Sequence, residues 1–129
     1  MGGPIVFISH SRVKNGKLDG FRDFLATGAP ALEADKPRTL AFLPYVSDDG
    51  TEVAIVHLFA DPESFALHLD GVAERSAAAY EFIETLGFEI YGHPGEQILA
   101  GMRQAATQAG VSLRLEPEYL TGYLRPSQG

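Results

Sequence analysis

The sequence contains no cysteine and no tryptophan among its 129 residues. Without cysteine, the chain cannot form a disulfide framework, a thiolate nucleophile or a thiolate metal site. Basic residues are also scarce: 10 Lys and Arg stand against 17 Asp and Glu, which gives a formal net charge of -7. Because neutralising phosphates requires clustered Lys and Arg, this composition argues against a nucleic-acid partner.

Long hydrophobic runs are absent as well. No stretch approaches the roughly 20 apolar residues that a bilayer span requires, and the start of the chain has neither the charged nor the apolar region of a signal peptide. We therefore expect a cytoplasmic protein that makes no membrane contact. The 129 residues, 45% of them hydrophobic, predict a single domain over residues 1–129, with residues 94–129 as a C-terminal extension.

The most informative stretch is residues 53–72, where a strand passes into a helix. Residues 53–60 are apolar on both alternating faces, which is typical of a strand inside a sheet. One face carries Val53, Ile55, His57 and Phe59, and the other carries Ala54, Val56 and Leu58. Asp61, Pro62 and Glu63 then supply an N-cap, a first-turn proline and a first-turn acid, so a helix should begin there.

The predicted helix places His68 toward the protein interior. Phe65, His68, Leu69 and Val72 recur at the spacing of a single helical stripe. If the helix covers the strand face that carries His57, the two imidazoles share one cavity.

The same patterning predicts an α+β protein with the order β-α-β-β-α-β over residues 4–93, the ferredoxin-like arrangement. We expect strands at residues 4–10, 38–46, 53–60 and 88–93. Helices are expected from about Lys17, with a kink or break at Gly28 and Pro30, and from Asp61 to Leu86, with a bend at Asp70-Gly71 and an end at Gly87. Pro44 cannot donate to a strand ladder, so the second strand should lie at a sheet edge.

The C-terminal extension should add a short helix within residues 94–110 and a half-exposed strand at 111–116. A further strand is predicted at 119–125, followed by a loose tail from Pro126.

A second copy of the chain is the expected partner. Two helices can cover only one face of a four-stranded sheet, and the other face would leave a large apolar patch in water. That patch consists of Val6, Ile8, Ala54, Val56 and Leu58. Two sheets packed face to face would form a homodimeric α/β-barrel. The alternative is that the C-terminal extension folds over this face within one chain.

Two segments resemble the antibiotic biosynthesis monooxygenase family of dimeric α/β-barrel proteins. One is the first strand followed by Arg12-Val13-Lys14-Asn15-Gly16-Lys17, and the other is His57-Leu58-Phe59-Ala60-Asp61-Pro62-Glu63 with His68 nine residues after Phe59. The resemblance spans residues 4–93 and implies a pocket between sheet and helices. It also implies oxygenation of polyphenolic or quinol-like substrates without metal or flavin, or, in a related branch, haem binding and degradation.

At three positions the resemblance allows single residues to be compared with those of the family. His68 matches the helix histidine that is frequent in the family, whereas Phe59 stands where many members have tryptophan. Ser9 takes the place of an asparagine that the haem-degrading branch shares. Because the indole and the amide are both missing, haem chemistry is disfavoured.

Oxygenation without a cofactor requires deprotonation of an electron-rich phenol, and a histidine with a pKa near 6.5 suits that transfer. The candidate catalytic residues are His57 and His68. The candidate substrate-binding residues are Ser9, Ile55, Phe59, Phe65 and Tyr80. No cofactor and no metal are expected, since a third ligand such as Asp70 would have to converge by chance.

A structural role for the same residues stays open. Either histidine is then a buried polar group, hydrogen-bonded to backbone or to the other, in a non-catalytic small-molecule-binding or stress-associated homodimer. A large enclosed pocket reached by both histidines would favour an enzyme. A cavity filled by Phe59, Phe65 and Tyr80 would favour the non-catalytic function.

Overall fold

The computed structural model describes residues 3–125. Within them the strands are β1 (Ile5–Val13), β2 (Thr39–Val46), β3 (Glu52–Phe59), β4 (Ile83–Tyr91) and β5 (Ser112–Glu116). The helices are α1 (Leu18–Asp35), α2 (Pro62–Leu69), α3 (Val72–Ala79) and α4 (Glu96–Ala109). None of these helices is long and apolar enough to cross a membrane.

The strands form one mixed sheet in the order β2-β3-β1-β4-β5. β1 pairs antiparallel with both β3 and β4, and β2 pairs antiparallel with β3. The ferredoxin-like prediction is therefore confirmed, and β2 lies at an edge as Pro44 required. β5 joins β4 in parallel, and α4 supplies the long crossover that a parallel connection needs.

The helices pack on one face of the sheet, over two separate groups of buried side chains. The first core cluster consists of Ile5, Phe7, Phe59, Phe65, Ile90 and Met102. The second core cluster consists of Phe21, Val53 and Ile83, with Ala79 of α3 packed against it. α2 and α4 contribute side chains to the first core cluster, and α1 and α3 contribute to the second. The helical layer therefore lies over the face that carries His57.

The opposite face, called here the open face, carries no helix of residues 3–125. Its central positions are the half-buried Val6, Ile8, Ala54, Val56 and Leu58. Leu43 and Tyr45 of β2 pair with two of these positions and are 44% and 60% exposed. α4 packs on the helical side and β5 extends the sheet, so neither of these two elements of the C-terminal extension folds over the open face.

The second predicted helix proves much shorter than its periodicity indicated. α2 ends at Leu69, Gly71 adopts a φ of 81°, and α3 ends at Ala79. Ile83 and Leu86 belong to β4, so Gly87 lies inside a strand and ends no helix. The reason is that β1 continues past His10 and pairs with Ile83–Thr85, with an irregularity in register between His10 and Ser11. Strand pairing thus overrides a local helical pattern.

Two other expectations are also corrected. α1 runs without interruption through Gly28 and Pro30, so the predicted break is wrong. Pro30 and Ala26 are both exposed, so water can bond the carbonyl that the missing proline N–H leaves free. Residues 119–125 form no strand. The expectation of a loose tail from Pro126 lies outside the described residues.

Gly92 provides a test of this packing. It has a φ of 98°, and a Cβ there would lie 2.7 Å from the Pro4 carbonyl oxygen and 2.8 Å from Ile5 Cδ1. We expect Gly92→Ala to lower the free energy of unfolding by about 2 kcal/mol or more, because strain adds to the clash. Gly28→Ala is the control, since nothing lies within 4 Å of its Cβ position; it should stabilise α1 by up to ~1 kcal/mol. Urea unfolding of both variants measures the difference, and equal effects would contradict it.

Candidate functional site

His57 and His68 meet under α2. β3 directs His57 toward the helical layer, and the Asp61 side chain caps α2 by accepting from the Ser64 N–H at 2.8 Å, which fixes where the helix begins. His68 then faces the sheet. The ring centroids of the two imidazoles lie 5.0 Å apart with planes at 72°, and the residues are 5% and 4% exposed. The helix covers the strand face that carries His57, and the two rings meet as predicted, but of the two only His68 lines a cavity.

Aromatic rings fill the space around this pair. Phe59 stacks on Phe65 with centroids 4.9 Å apart and lies 5.2 Å from the ring of His68. Phe7 and Phe42 approach His57 at 5.0 Å and 5.3 Å. Consequently the layer between β3 and α2 is packed with side chains rather than enclosing a large pocket, which is the arrangement that favours a structural role for the interior.

The hydrogen bonds of the pair define the proton position in His57 but not in His68. Nδ1 of His57 lies 3.1 Å from the carbonyl oxygen of Phe7. Because a carbonyl only accepts, Nδ1 carries the proton in neutral His57 and Nε2 is left as an acceptor. Nδ1 of His68 lies 2.8 Å from Oγ1 of Thr39. A hydroxyl can donate or accept, so this bond is compatible with either tautomer of His68.

Both imidazoles are neutral at physiological pH. Burial lowers the pKa of His57 to about 4. Burial also lowers the pKa of His68 to about 3, and the nearby charges of His57, Arg75 and Lys36 add to that shift. Because its pKa is lowered this far, His68 would accept a proton from a phenol, whose pKa lies near that of Tyr, only with a large unfavourable free energy. His68 can exchange hydrogen bonds with a ligand, but it is a poor base.

Arg75 connects the two short helices beside the histidines. Its Nη1 donates to the Asp70 carbonyl at 2.9 Å, and its Nη2 donates to the His68 carbonyl at 2.6 Å. These bonds satisfy carbonyls that the end of α2 leaves free. Arg75 therefore fixes the backbone of His68 while contributing a positive charge near both rings.

A cleft opens where the connection from α1 to β2 meets α2. It encloses about 170 Å³ and is lined by Asp35, Lys36, Pro37, Arg38, Thr39, Ser64, Leu67, His68 and Asp70. Arg38 holds the connection against α2, because its guanidinium donates to Ser64 at 3.0 Å, Asp61 at 3.2 Å and Glu63 at 3.3 Å. His68 belongs both to this cleft and to the buried pair, so it links the core to the surface.

The other predicted substrate-binding residues are distributed unevenly. Phe59 and Phe65 contact the histidine pair, whereas Ser9 and Ile55 pair across β1 and β3 and remain half-buried under the helical layer. Tyr80 is 46% exposed, and its hydroxyl accepts from Thr85 at 3.3 Å. Tyr80 therefore lies apart from the histidines.

Sequence reasoning missed Thr39, Lys36 and Arg75. Arg75 follows His68 by seven residues, a spacing that could have indicated a shared helix face. Thr39 and Lys36 had no local signal, because their position depends on how residues 36–38 fold against α2. No group of three or more His, Asp or Glu side chains within residues 3–125 converges as a metal site would require.

His10 lies on the other side of the sheet from this site. Its Nε2 is hydrogen-bonded to Glu89, and the second carboxylate oxygen of Glu89 accepts from the Tyr91 hydroxyl. The two bonds lower the pKa of Glu89. His10 therefore faces away from Ser9, its neighbour on β1.

The chain has the ferredoxin-like α+β fold that solved structures of antibiotic biosynthesis monooxygenase-like proteins share. No family model matches the sequence, and no curated protein matches it either. Solved structures do match, at sequence identities that establish the fold alone. The resemblance drawn from the sequence is confirmed at that level.

MupZ from Pseudomonas fluorescens superposes with a TM-score of 0.71 at 16% identity, covering 96% of each chain. SnoaB from Streptomyces nogalater, a cofactor-independent oxygenase, gives a TM-score of 0.58 at 15% identity, covering 73% of this chain and 96% of its own. A protein from Chloroflexus aurantiacus, described as a candidate antibiotic biosynthesis monooxygenase, gives 0.55 at 18% identity and covers 68% of this chain and 90% of its own. The match to MupZ therefore spans the C-terminal extension as well.

The depressed histidine pKa values predict a pH-dependent stability. Because the folded-state pKa of His57 lies near 4 and that of His68 near 3, the unfolded chain binds more protons below pH 6.5. The free energy of unfolding should be fully retained above pH 6.5 and fall toward lower pH, with about 3 kcal/mol lost through His57 alone by pH 4.

Urea unfolding at pH 7, 6 and 5 tests this expectation above the range where carboxyl groups titrate. His57→Gln removes one titrating group and should flatten the dependence on pH. His93→Gln changes an exposed histidine and should leave the dependence intact. An unchanged slope in His57→Gln would contradict the assignment.

Proposed function

We propose that this protein is a monooxygenase-like homodimer that acts, without metal or flavin, on a small aromatic or quinol-type molecule bound beside His68. The observation that carries the proposal is the cleft of about 170 Å³ that reaches this otherwise buried imidazole. The shared fold with SnoaB, named as a cofactor-independent oxygenase, supports the reaction class.

In this proposal the two histidines have different roles. His68 borders the cleft and exchanges a hydrogen bond with the hydroxyl of the ligand. His57 contacts His68 from the side of the sheet. The Phe7 carbonyl holds His57 in one tautomer. Phe59 and Phe65 form the apolar wall behind them, and Ser9 and Ile55 provide the sheet surface further inside. The geometry offers no support for the proposed contact with Tyr80.

The packed interior favours a second function, that of a non-catalytic small-molecule-binding homodimer. Phe59 and Phe65 are 0% exposed, so a ligand cannot enter between β3 and α2 unless these rings move. A ligand confined to the cleft would contact only the edge of the histidine pair. Oxygen uptake distinguishes the two functions.

Oxygen consumption with a panel of single-ring hydroquinones is the test. The wild-type protein should consume oxygen faster than a protein-free blank, and His68→Ala should lower the rate at least about tenfold, since a lost hydrogen bond of ~1.4 kcal/mol in the transition state has that effect. His93→Ala, at an exposed histidine, should match the wild type. Binding without oxygen uptake in the wild type would favour the non-catalytic function.

The proposed homodimer forms through the open face. Val6, Ile8, Ala54, Val56 and Leu58 give that face an apolar centre, and burying it against a second copy would remove it from water. The two sheets would then form the inner layer of an α/β-barrel with the helices outside.

A single charge at the centre of the open face should prevent this association. We expect Val56→Asp to give monomer or aggregate, because an unpaired carboxylate would be buried at the contact. Ala73→Asp, at an exposed position of α3, is the matched control and should behave as the wild type. Sedimentation velocity measures both, and an unchanged dimer in Val56→Asp would refute the open face as the interface.

A further inference from the structure

Two cationic side chains border the cleft, and their surroundings differ. The guanidinium of Arg38 is committed to Ser64, Asp61 and Glu63. Asp61 and Glu63 are both carboxylates within hydrogen-bond distance of the guanidinium, so these bonds direct Arg38 toward α2. Arg38 therefore supports the wall of the cleft.

Lys36 is placed differently. Its side chain is only 11% exposed, and its Nζ lies 3.6 Å from Oδ2 of Asp35, whose own side chain is 71% exposed. That separation is longer than a hydrogen bond, and an ion pair with a largely solvated carboxylate contributes little. No hydrogen bond from Nζ to another atom of residues 3–125 is found, so an ammonium group with three donors borders the cleft.

We propose that Lys36 is the counter-ion for an ionised single-ring phenol bound in this cleft, and this inference rests on the proposed function of the same site. The cleft volume of about 170 Å³ sets the size limit, since a cavity of roughly 150 Å³ is enough for benzene.

The two histidines are neutral at physiological pH, so neither imidazole supplies a positive charge for an anionic ligand in the cleft. His68 is too weakly basic to keep the proton of a phenol, so the O–H bond breaks with transfer of the proton to water. The phenolate that remains needs a positive charge within about 4–6 Å to lower its pKa. A buried ammonium is effective because screening by water is weaker there.

The other charged groups around the cleft do not reverse this preference. Asp35 and Asp70 line it and would repel an anion, but both are exposed and hence screened. Arg75 is the further cation behind His68, where its bonds to two carbonyls leave its charge uncancelled. Arg38 is directed toward α2 by its own carboxylate partners. Of the two cations that line the cleft, Lys36 is thus the one without a hydrogen bond to a carboxylate.

Binding of 4-nitrophenol provides the test, because its visible absorbance reports the ionised form directly. The wild-type protein should bind 4-nitrophenolate and lower the pKa of the bound phenol below that of the free phenol. Lys36→Met, which keeps the length of the side chain and removes its charge, should weaken phenolate binding about tenfold and abolish the pKa shift. Lys36→Arg should retain both.

The controls separate this inference from the proposed function. Lys17→Met changes an exposed lysine at the start of α1 and should bind as the wild type, and circular dichroism establishes that each variant is folded. Equal phenolate binding by wild type and Lys36→Met, or no binding by the wild type, would overturn the inference. Because this readout needs no turnover, Lys36-dependent binding without oxygen uptake with hydroquinones would refute only the proposed activity.

Discussion

The contact between His57 and His68 is the constraint on which the site depends. It holds α2 against the middle of β3, and it requires that two polar rings be buried among phenylalanines without charge. The Phe7 carbonyl and the Thr39 hydroxyl each satisfy one ring nitrogen. Protonating either ring would require exposing it to water, and exposure would require α2 to move away from β3. The packing of α2 and the neutral state of the two histidines therefore depend on each other.

This neutrality redirects the chemistry of the site. Histidine pairs are usually considered as proton acceptors because free imidazole titrates near neutrality. Here burial lowers the pKa of both rings, so at neutral pH the positive charges beside them belong to Lys36, Arg38 and Arg75. For binding an ionisable ligand, the surface cleft and the cations near it therefore matter more than the number of histidines. The histidines are nevertheless the easiest part of the site to recognise in the sequence.

The sequence allowed prediction of the sheet order, the N-terminus of α2 and the meeting of the two histidines, because each follows from local patterns of period two or 3.6. It failed for residues 83–86, where pairing with β1 overrode a helical spacing, and for the continuity of α1 across Pro30. Lys36 and Thr39 could not be found for a different reason. Their proximity to His68 arises from tertiary packing of a loop, which leaves no periodic trace.

The pairing of β5 with β4 changes which sheet margins are available for growth. In the four-stranded unit β4 would present free backbone groups, but β5 now occupies them, so the margins of the described sheet are β2 and β5. In β2, Pro44 has no backbone N–H to donate to an added strand. In β5, Arg114 and Glu116 place charged side chains along the edge. Such features discourage open-ended strand addition, which leaves the broad apolar surface, rather than the rims, as the route to a closed assembly.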